Sequence, residues 1–175
     1  MKQALLIIDV QNDYFVGGKK PLFEPEKALT SIINWQTEFR QKQLPIFYIQ
    51  HIKQDKNADF FAKDSDGAKL HGQLLPMQEN ECLITKSFPN SFWKTDLQQK
   101  LQQQNVEQLV IVGMMTHMCI DSTVRHAAEL GYQPIVIANG CATSDLVLFD
   151  HVVSAKDVQT AFLASLTNFA KVMLN

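Results

Sequence analysis

The sequence predicts an α/β protein in which helices cover both faces of a central parallel β-sheet. Its short apolar segments are continuous rather than alternating, which is typical of strands that are buried on both faces. These segments alternate with longer stretches of helical periodicity, and such alternation gives a parallel sheet with right-handed crossovers. We therefore expect three layers (helix, sheet and helix) in a single domain over residues 1–175.

Each predicted strand is short, apolar and rich in β-branched residues. Five strands and a candidate sixth are predicted over residues 4–8, 45–49, 81–85, 108–112, 134–138 and 169–174. Four helices are predicted over residues 25–43, 95–104, 116–130 and 152–166. Pro25 suits the first turn of the first helix, and Gly131 marks the end of the third.

The overall charge gives no reason to expect a polymeric partner. Sixteen Lys and Arg residues against 18 Asp and Glu residues leave a formal charge of −2, while 46% hydrophobic residues exclude a disordered chain. A near-neutral protein has no electrostatic attraction for nucleic acid or an anionic membrane. We therefore expect a small-molecule substrate, without nucleic-acid or membrane partners.

Three cysteines and the first nine residues indicate the compartment. Cys82, Cys119 and Cys141 cannot all pair within one chain, and no two of them form a C-x-x-C motif. Residues 1–9 are neither a signal peptide nor a membrane span, which needs about 20 apolar residues. These features predict a cytoplasmic protein with reduced thiols.

Reactive side chains follow three of the predicted strands. Asp9 follows the first strand, Lys86 the third and Cys119 the fourth, and ligands of such sheets bind beyond the carboxyl ends of strands. An acid, a cation and a thiol together suit nucleophilic catalysis. Taken singly, Asp9 also suits a turn or cap, Lys86 a solvated surface and Cys119 a small apolar filler.

Cys119 is predicted to lie in the first turn of the third helix, with Thr116 as its N-cap. There, unpaired N–H groups and the helix dipole lower a thiol pKa from about 8.5 towards roughly 3.5–7.5. The same N–H groups can stabilise a developing oxyanion. Cys82 and Cys141 are predicted to be structural.

Three ordered motifs resemble those of the isochorismatase-like cysteine hydrolase family over nearly the whole chain. The first is LLIIDVQNDYF at residues 5–15. The second is the pair Thr85-Lys86, followed by Ser-Phe at 91–92 and Thr-Asp-Leu at 95–97. The third is GMMTHMCIDSTVR at residues 113–125.

The resemblance implies a catalytic triad. Cys119 is the implied nucleophile, Asp9 the acceptor of its proton, and Lys86 the cation that holds both. It also implies a cis peptide between Met114 and Met115, and an oxyanion hole formed by the N–H groups of Met115 and Cys119. The implied sheet order, 3-2-1-4-5-6, places Asp9 and Cys119 opposite each other, and the implied assembly is a homo-oligomer, a dimer or tetramer.

One departure concerns metal binding. The nicotinamidase branch of the family holds a metal through an Asp-x-His pair, but here Ile49 replaces the carboxylate ahead of His51. We therefore expect no metal and no other cofactor, and nicotinamide becomes a less favoured substrate. Four side chains are candidates for contact with the substrate: Phe15, His51, Phe92 and His117.

The leading hypothesis is a metal-independent cysteine hydrolase that cleaves an amide or a related C–N bond of a small molecule through a thioester-type intermediate on Cys119. One alternative is hydrolysis of an enol ether, as in isochorismatase. Another is a non-catalytic binding or scaffold protein with this fold. A dinucleotide-binding protein is excluded, because no glycine-rich phosphate motif follows the first strand.

Overall fold

The computed structural model describes residues 1–174. Its strands are β1 (Gln3–Ile8), β2 (Ile46–His51), β3 (Cys82–Lys86), β4 (Gln108–Met114), β5 (Gln133–Ala142), β6 (Leu146–Leu148), β7 (His151–Val153) and β8 (Lys171–Met173). Its α-helices are α1 (Pro25–Gln41), α2 (Leu97–Gln103), α3 (Asp121–Glu129) and α4 (Ala155–Leu166).

Six of these strands form one parallel sheet in the order β3-β2-β1-β4-β5-β8. The predicted fold class is confirmed, and so is the implied strand order, with β8 in the sixth place. The two short strands β6 and β7 pair with each other in an antiparallel hairpin outside this sheet.

The core lies in two layers, one on each face of the sheet. Leu5 and Ile7 of β1 belong to the layer beneath α1. Leu6 and Ile8 belong to the opposite layer, which contains the buried residues of α2 and α3. Because successive side chains of a strand point to opposite faces, burial on both faces explains why β1 is a continuous apolar run.

Gly113 allows the carboxyl ends of β1 and β4 to approach closely. It pairs with Ile8 and has a φ of 131°, in the region that favours glycine. A Cβ atom at this position would lie 2.0 Å from the carbonyl oxygen of Ile8. The residues that follow the two strands, Asp9 on one side and the 114–119 segment on the other, are thereby brought together.

The start of the third helix differs from the prediction. Thr116–Ile120 forms a π-helical turn, and α3 begins only at Asp121. Thr116 does not cap the helix, because it lies inside this turn, where its hydroxyl can donate to Gln159 Oε1 at 2.6 Å or to the Ala142 carbonyl oxygen at 3.2 Å. Cys119 likewise lies in the π-helical turn rather than in the first turn of an α-helix.

The start of the last helix also differs. The predicted helix over residues 152–166 begins at Ala155, and the preceding residues belong to the β6–β7 hairpin. Ser154 is the N-cap, and its hydroxyl accepts a hydrogen bond from the Asp157 N–H. Val152 and Val153 are β-branched and pair across the hairpin, which is why helical periodicity gave the wrong boundary.

The hairpin presents an apolar surface, with Phe149 at its tip 90% exposed. Four further side chains there are exposed: Val147, Leu148, Val152 and Val153. Among residues 1–174, none of the helices combines the length and the apolar character needed to cross a membrane.

Candidate active site

The three residues predicted at strand ends lie together in the structure. Asp9 follows β1 with a φ of 51°, Lys86 is the last residue of β3, and Cys119 lies in the π-helical turn after β4. All three are buried, at 0%, 3% and 3% exposure. Asp9 and Cys119 follow neighbouring strands, β1 and β4, and the long side chain of Lys86 reaches Asp9 from β3 across β2.

Asp9 and Lys86 form a buried ion pair. Lys86 Nζ lies 2.8 Å from Asp9 Oδ2, and both side chains are withdrawn from solvent. At this distance the contact is a charge-assisted hydrogen bond from the ammonium to the carboxylate. Lys86 Nζ also donates a hydrogen bond to the Pro89 carbonyl oxygen at 2.7 Å.

The ion pair changes the proton affinity of both groups. Burial raises the pKa of the Asp9 carboxyl, but the Lys86 ammonium and the His51 ring outweigh it, so this pKa lies below its ordinary value. Burial likewise lowers the pKa of Lys86, yet the charge of Asp9 outweighs that effect and raises it. Asp9 is therefore an anion and Lys86 a cation in the resting protein.

The pKa of the Cys119 thiol differs from the value predicted from the sequence. Burial raises the pKa of Cys119 well above its usual value, and the negative charge of Asp9 adds to this rise more than Lys86 offsets it. The prediction of a lowered pKa was wrong, because it assumed an α-helical N-terminus and ignored the anion beside the sulfur. Cys119 is a neutral thiol that needs a base when it reacts.

His51 lies between the acid and the thiol. Its Nδ1 is 3.7 Å from Asp9 Oδ2 and 4.0 Å from Cys119 Sγ. It is 8% exposed and faces the same cavity as Cys119. The imidazole is thus close to both the carboxylate and the thiol.

The backbone of His51 is held by Gln11, which sequence reasoning did not single out. The Gln11 amide donates to the carbonyl oxygens of His51 and Ala68 at 2.9 and 2.7 Å, and its Oε1 accepts from the His51 N–H at 2.8 Å. Gln11 is fully buried. The only sequence feature that could have indicated a role for Gln11 is its place two residues after Asp9, in the first motif.

The turn that carries Cys119 begins with an unusual peptide bond. The bond between Met114 and Met115 is cis, at the position that the resemblance implies. The Met115 carbonyl oxygen then accepts hydrogen bonds from the N–H groups of Met118 and Ile120, at 3.1 and 3.2 Å. These two bonds fold the chain around Cys119 and set the direction of its side chain.

A cavity of about 520 Å³ opens beside Cys119. His51 and His117, both predicted substrate contacts, line it, and His117 Nδ1 lies 2.6 Å from the hydroxyl of Thr143. Tyr14 also lines it, and the hairpin contributes Leu146 and Val147. Burial raises the pKa of Tyr14 well above its usual value, so its hydroxyl stays protonated beside the cavity.

The other two predicted substrate contacts lie elsewhere. Phe15 packs against the ring of His71 at a centroid distance of 4.3 Å and lines a different cavity. Phe92 packs against His126 and Tyr132, in the core layer of α2 and α3. Within the first motif, Tyr14 rather than its neighbour Phe15 lines the Cys119 cavity. The motif alone does not indicate which of the two aromatic side chains does so.

The site also contains side chains of a kind that bind metals. One ligand atom each from Asp9, His51 and Cys119 lies within 4.8 Å of the other two. Ile49, at the position of the carboxylate ligand in the nicotinamidase branch, is fully buried and apolar. A metal held by this cluster would therefore use the candidate catalytic groups themselves.

A parallel sheet with this strand order, and a thiol-bearing turn at its carboxyl edge, define the class of isochorismatase-like α/β hydrolases. A family model described as "Isochorismatase domain" matches residues 3–174. The chain belongs to the isochorismatase family, a family of hydrolases.

Known proteins match most or nearly all of this chain in sequence or in structure. The uncharacterized isochorismatase family protein YddQ of Bacillus subtilis (strain 168) is 46% identical over 166 residues, which cover 95% of this chain and 92% of YddQ. A solved structure named for an isochorismatase hydrolase from Oleispira antarctica is 41% identical, with a TM-score of 0.93 over 99% of this chain and 93% of that one. The nicotinamidase of Escherichia coli (strain K12) is 25% identical over 175 residues, covering 79% of this chain and 82% of that protein.

Proposed function

We propose that the protein is a metal-independent hydrolase that cleaves an amide or a related C–N bond of a small molecule, with Cys119 as its nucleophile. The observation that carries the proposal is the buried cluster of Asp9, Lys86 and Cys119, of which Cys119 lines a cavity that is open to solvent. A neutral thiol beside an anionic carboxylate is a nucleophile beside its base.

The first half of the reaction forms the acyl-enzyme. Cys119 Sγ attacks the carbonyl carbon as its proton passes to Asp9, so that a C–S bond forms and the carbonyl oxygen becomes an oxyanion. The C–N bond then breaks, and the leaving nitrogen takes the proton from Asp9. The product of this half is a thioester on Cys119 and a free amine or ammonia.

The second half releases the acid. Asp9 accepts a proton from a water molecule, whose oxygen attacks the thioester carbon. The C–S bond breaks, and the proton returns from Asp9 to the Cys119 sulfur. Lys86 stays paired with Asp9 throughout and offsets the negative charge of the departing thiolate.

The electrostatics support proton transfer during attack rather than a preformed thiolate. Burial and the nearby Asp9 raise the pKa of Cys119, while Lys86 and His51 keep the pKa of Asp9 low. At rest the proton therefore stays on sulfur. It moves to Asp9 only as the new C–S bond withdraws electron density from the sulfur.

The oxyanion is assigned in this proposal to the backbone N–H groups of Met115 and Cys119. Met115 is the second residue of the cis peptide and Cys119 lies in the π-helical turn that follows, which supports this assignment. Preorganised donors of this kind are worth about 10²–10³-fold in rate.

The cavity supports a small substrate, since about 520 Å³ lies within the range typical of small-molecule sites. His51 and His117 are the proposed contacts to the substrate. The relative named as a nicotinamidase supports a C–N bond as the target, although nicotinamide itself is less favoured here.

A homo-oligomer, a dimer or tetramer, is also proposed. The exposed apolar hairpin next to the cavity supports it, because monomeric proteins rarely expose contiguous apolar patches of this kind. Light scattering after size exclusion measures the mass directly, and a single species of 19.9 kDa at micromolar concentration would contradict it.

A panel of amides, ureas and lactams, with an enol ether included, tests the function. We expect the wild type to release amine or ammonia from at least one C–N substrate and Cys119→Ala to release none. The matched control is Cys141→Ser, a second buried thiol outside the cavity, which keeps the activity. Turnover of the enol ether alone would replace the proposed bond type, and no turnover together with no acyl adduct by mass spectrometry would favour the binding or scaffold hypothesis.

A further inference from the structure

Asp9 is the proposed base, but it does not line the cavity in which a substrate would lie. Its side chain is 0% exposed, and it is not one of the residues within 1–174 that form the wall beside Cys119. Two proton transfers of the proposed reaction, to the leaving nitrogen and from the attacking water, take place on the cavity side. The reaction therefore needs a group that contacts both the buried carboxylate and the cavity.

His51 makes both contacts. Its Nδ1 lies 3.7 Å from Asp9 Oδ2 and 4.0 Å from Cys119 Sγ. The imidazole also lines the cavity, and no hydrogen bond within residues 1–174 engages its Nε2. One ring nitrogen thus faces the buried groups, and the other is available to a ligand in the cavity. Distances of this length are common in unliganded active sites, where catalytic hydrogen bonds tighten only once the substrate is bound.

The charge of Lys86 makes Asp9 a poor resting place for a proton. Burial raises the pKa of the Asp9 carboxyl, but Lys86 and His51 outweigh it, so the pKa lies below its ordinary value. A proton that reaches Asp9 from the thiol is therefore readily given up to a neighbouring acceptor. Lys86 cannot accept it, because an ammonium has no lone pair, whereas a neutral imidazole has one on the nitrogen without a proton.

The backbone of His51 is fixed, which holds the ring between the buried carboxylate and the cavity. The Gln11 amide donates to the His51 carbonyl oxygen at 2.9 Å, and Gln11 Oε1 accepts from the His51 N–H at 2.8 Å. Phe61 packs beside the imidazole, with the ring centroids 6.0 Å apart. This constancy favours proton transfer, because a proton moves only between atoms that come within hydrogen-bond reach.

We propose that His51 is a proton relay between the buried Asp9–Cys119 pair and the cavity, an inference that rests on the hydrolase function proposed above. In the resting protein the ring carries its proton on Nε2. During acylation Nδ1 receives the thiol proton by way of Asp9, and Nε2 gives its own proton to the leaving nitrogen as the C–N bond breaks. During hydrolysis Nε2 takes a proton from the attacking water, and Nδ1 returns one by way of Asp9 to the Cys119 sulfur as the C–S bond breaks. Each half leaves the ring neutral with its proton on the other nitrogen, so one turnover restores the starting tautomer.

The test separates a step that needs no proton on the leaving group from the steps that need the relay. p-Nitrophenyl acetate acylates a thiol with release of p-nitrophenolate, which departs without a proton, whereas an amide nitrogen must be protonated. We expect His51→Asn to release one equivalent of p-nitrophenolate in a burst and then to turn over at least about 100-fold more slowly than the wild type. Peptide mass spectrometry should find the acetyl thioester accumulated on Cys119. For an amide identified in the substrate panel, kcat/KM should fall by about 10²–10⁴-fold.

Two further variants control for the loss of a histidine and for packing. His126→Ala removes a histidine that packs against Phe92 outside the cavity, so it should turn over both substrates as the wild type does. His51→Ala leaves space for added imidazole, which should speed deacylation at least about tenfold, because the free base can carry the proton in place of the side chain. A purely structural role of His51 predicts no such rescue. Circular dichroism verifies that each variant is folded.

The outcomes separate the relay from the proposed function. Deacylation of His51→Asn at the wild-type rate would overturn the relay alone, since Cys119 would still be acylated and hydrolysed. Equal loss of the burst and of turnover would also overturn it, because His51 would then be required for the attack of the thiol itself. A wild-type protein that forms no acetyl adduct on Cys119 would refute the proposed nucleophile, and the relay with it.

Discussion

Lys86 Nζ lies 2.8 Å from Asp9 Oδ2, and solvent reaches neither side chain. Each of the two charges keeps the other ionised, because the loss of either would leave a buried charge without a partner. The same anion raises the pKa of the Cys119 thiol beside it. One contact thus accounts for a carboxylate that stays deprotonated beside a thiol that stays protonated, the charge states that the proposed reaction requires of its base and its nucleophile.

Replacing Asp9 by Asn should change hydrolysis and alkylation in opposite directions. Loss of the base lowers kcat/KM by about 10²–10⁴-fold. Loss of the negative charge removes one of the causes that raise the Cys119 pKa, so at alkaline pH, where iodoacetamide reacts with the thiolate itself and needs no protein base, Cys119 should be modified faster. Peptide mass spectrometry measures the alkylation of each cysteine.

Two comparisons control this experiment. Asp64→Asn, at an exposed carboxylate, should leave both rates unchanged. Cys141, whose pKa burial raises to about 12, serves as an internal standard that should react equally slowly in both proteins. Slower alkylation of Cys119 in Asp9→Asn would contradict the electrostatic account.

The ion pair also predicts where stability depends on pH. The folded-state pKa of Asp9 lies below its ordinary 3.8, so its contribution is present above pH 3.8 and is lost as the pH falls through the folded value. The folded-state pKa of Lys86 lies above its ordinary 10.5, so its contribution is present below pH 10.5 and is lost as the pH rises through the folded value. Urea denaturation between about pH 5 and 8 should show no loss of stability attributable to this pair. The double variant Asp9→Asn/Lys86→Met provides the comparison, and a wild-type stability that changes with pH relative to it inside that window would count against the assignment.

Gln11→Leu should destabilise the protein and disturb His51. It removes three buried hydrogen bonds and leaves the His51 backbone groups without their partner. We expect the free energy of unfolding to fall by about 2–4 kcal/mol, measured by urea denaturation. Gln73→Leu, at an exposed glutamine, is the control and should change it by less than about 0.5 kcal/mol.

Gly113→Ala should prevent the close approach of β1 and β4. The added methyl would lie 2.0 Å from the Ile8 carbonyl oxygen, on a backbone with a φ of 131°. We expect destabilisation of more than about 4 kcal/mol, or no folded protein. Gly72→Ala is the matched control, since a Cβ there meets nothing within 4 Å, and its stability should stay within about 1 kcal/mol. Wild-type stability in Gly113→Ala would mean that the two strand ends can separate freely.

Lys20 predicts a preference for substrates that carry a carboxylate. It lines the cavity with its ammonium 5.5 Å from the Phe60 ring centre, and it pairs with no acid among residues 1–174, whereas the neighbouring Lys53 pairs with Asp59. Lys20→Gln should raise KM for an anionic amide about fivefold, equivalent to about 1 kcal/mol, without changing kcat. Uncharged amides and the exposed control Lys19→Gln should be unaffected, and an equal change for charged and uncharged amides would exclude the charge contact.

Much of the architecture was predictable because it depends on local chemistry. Burial on both faces requires continuous apolar runs, so β1, β2, β4 and β5 were recognisable from composition and length. A side chain at or just beyond the end of a parallel strand lies at the carboxyl edge of the sheet, and this indicated Asp9, Lys86 and, in the segment after β4, Cys119. The strand order came from the resemblance, since the apolar runs do not specify which strands are neighbours.

The errors arose where tertiary contacts overrode local preference. Thr116 has the residue type of an N-cap, but acceptors from β5 and α4 engage its hydroxyl, and the turn is π-helical. Val152 and Val153 continue an apolar pattern, but they pair across a hairpin before Ser154 starts the helix. Local propensity is worth less than about 1 kcal/mol per residue, so such contacts readily reverse it.

By itself, then, the sequence determined the layers of the fold and indicated three residues, Asp9, Lys86 and Cys119, that the folded chain brings together at one edge of the sheet. Only the tertiary structure decided the charge state of Cys119, the partners of Gln11 and the choice of Tyr14 over Phe15 as a cavity wall. The physical reason is that a pKa and a cavity depend on desolvation and on charges a few ångström away. Those neighbours come from strands that are far apart in the chain and adjacent only in the folded sheet.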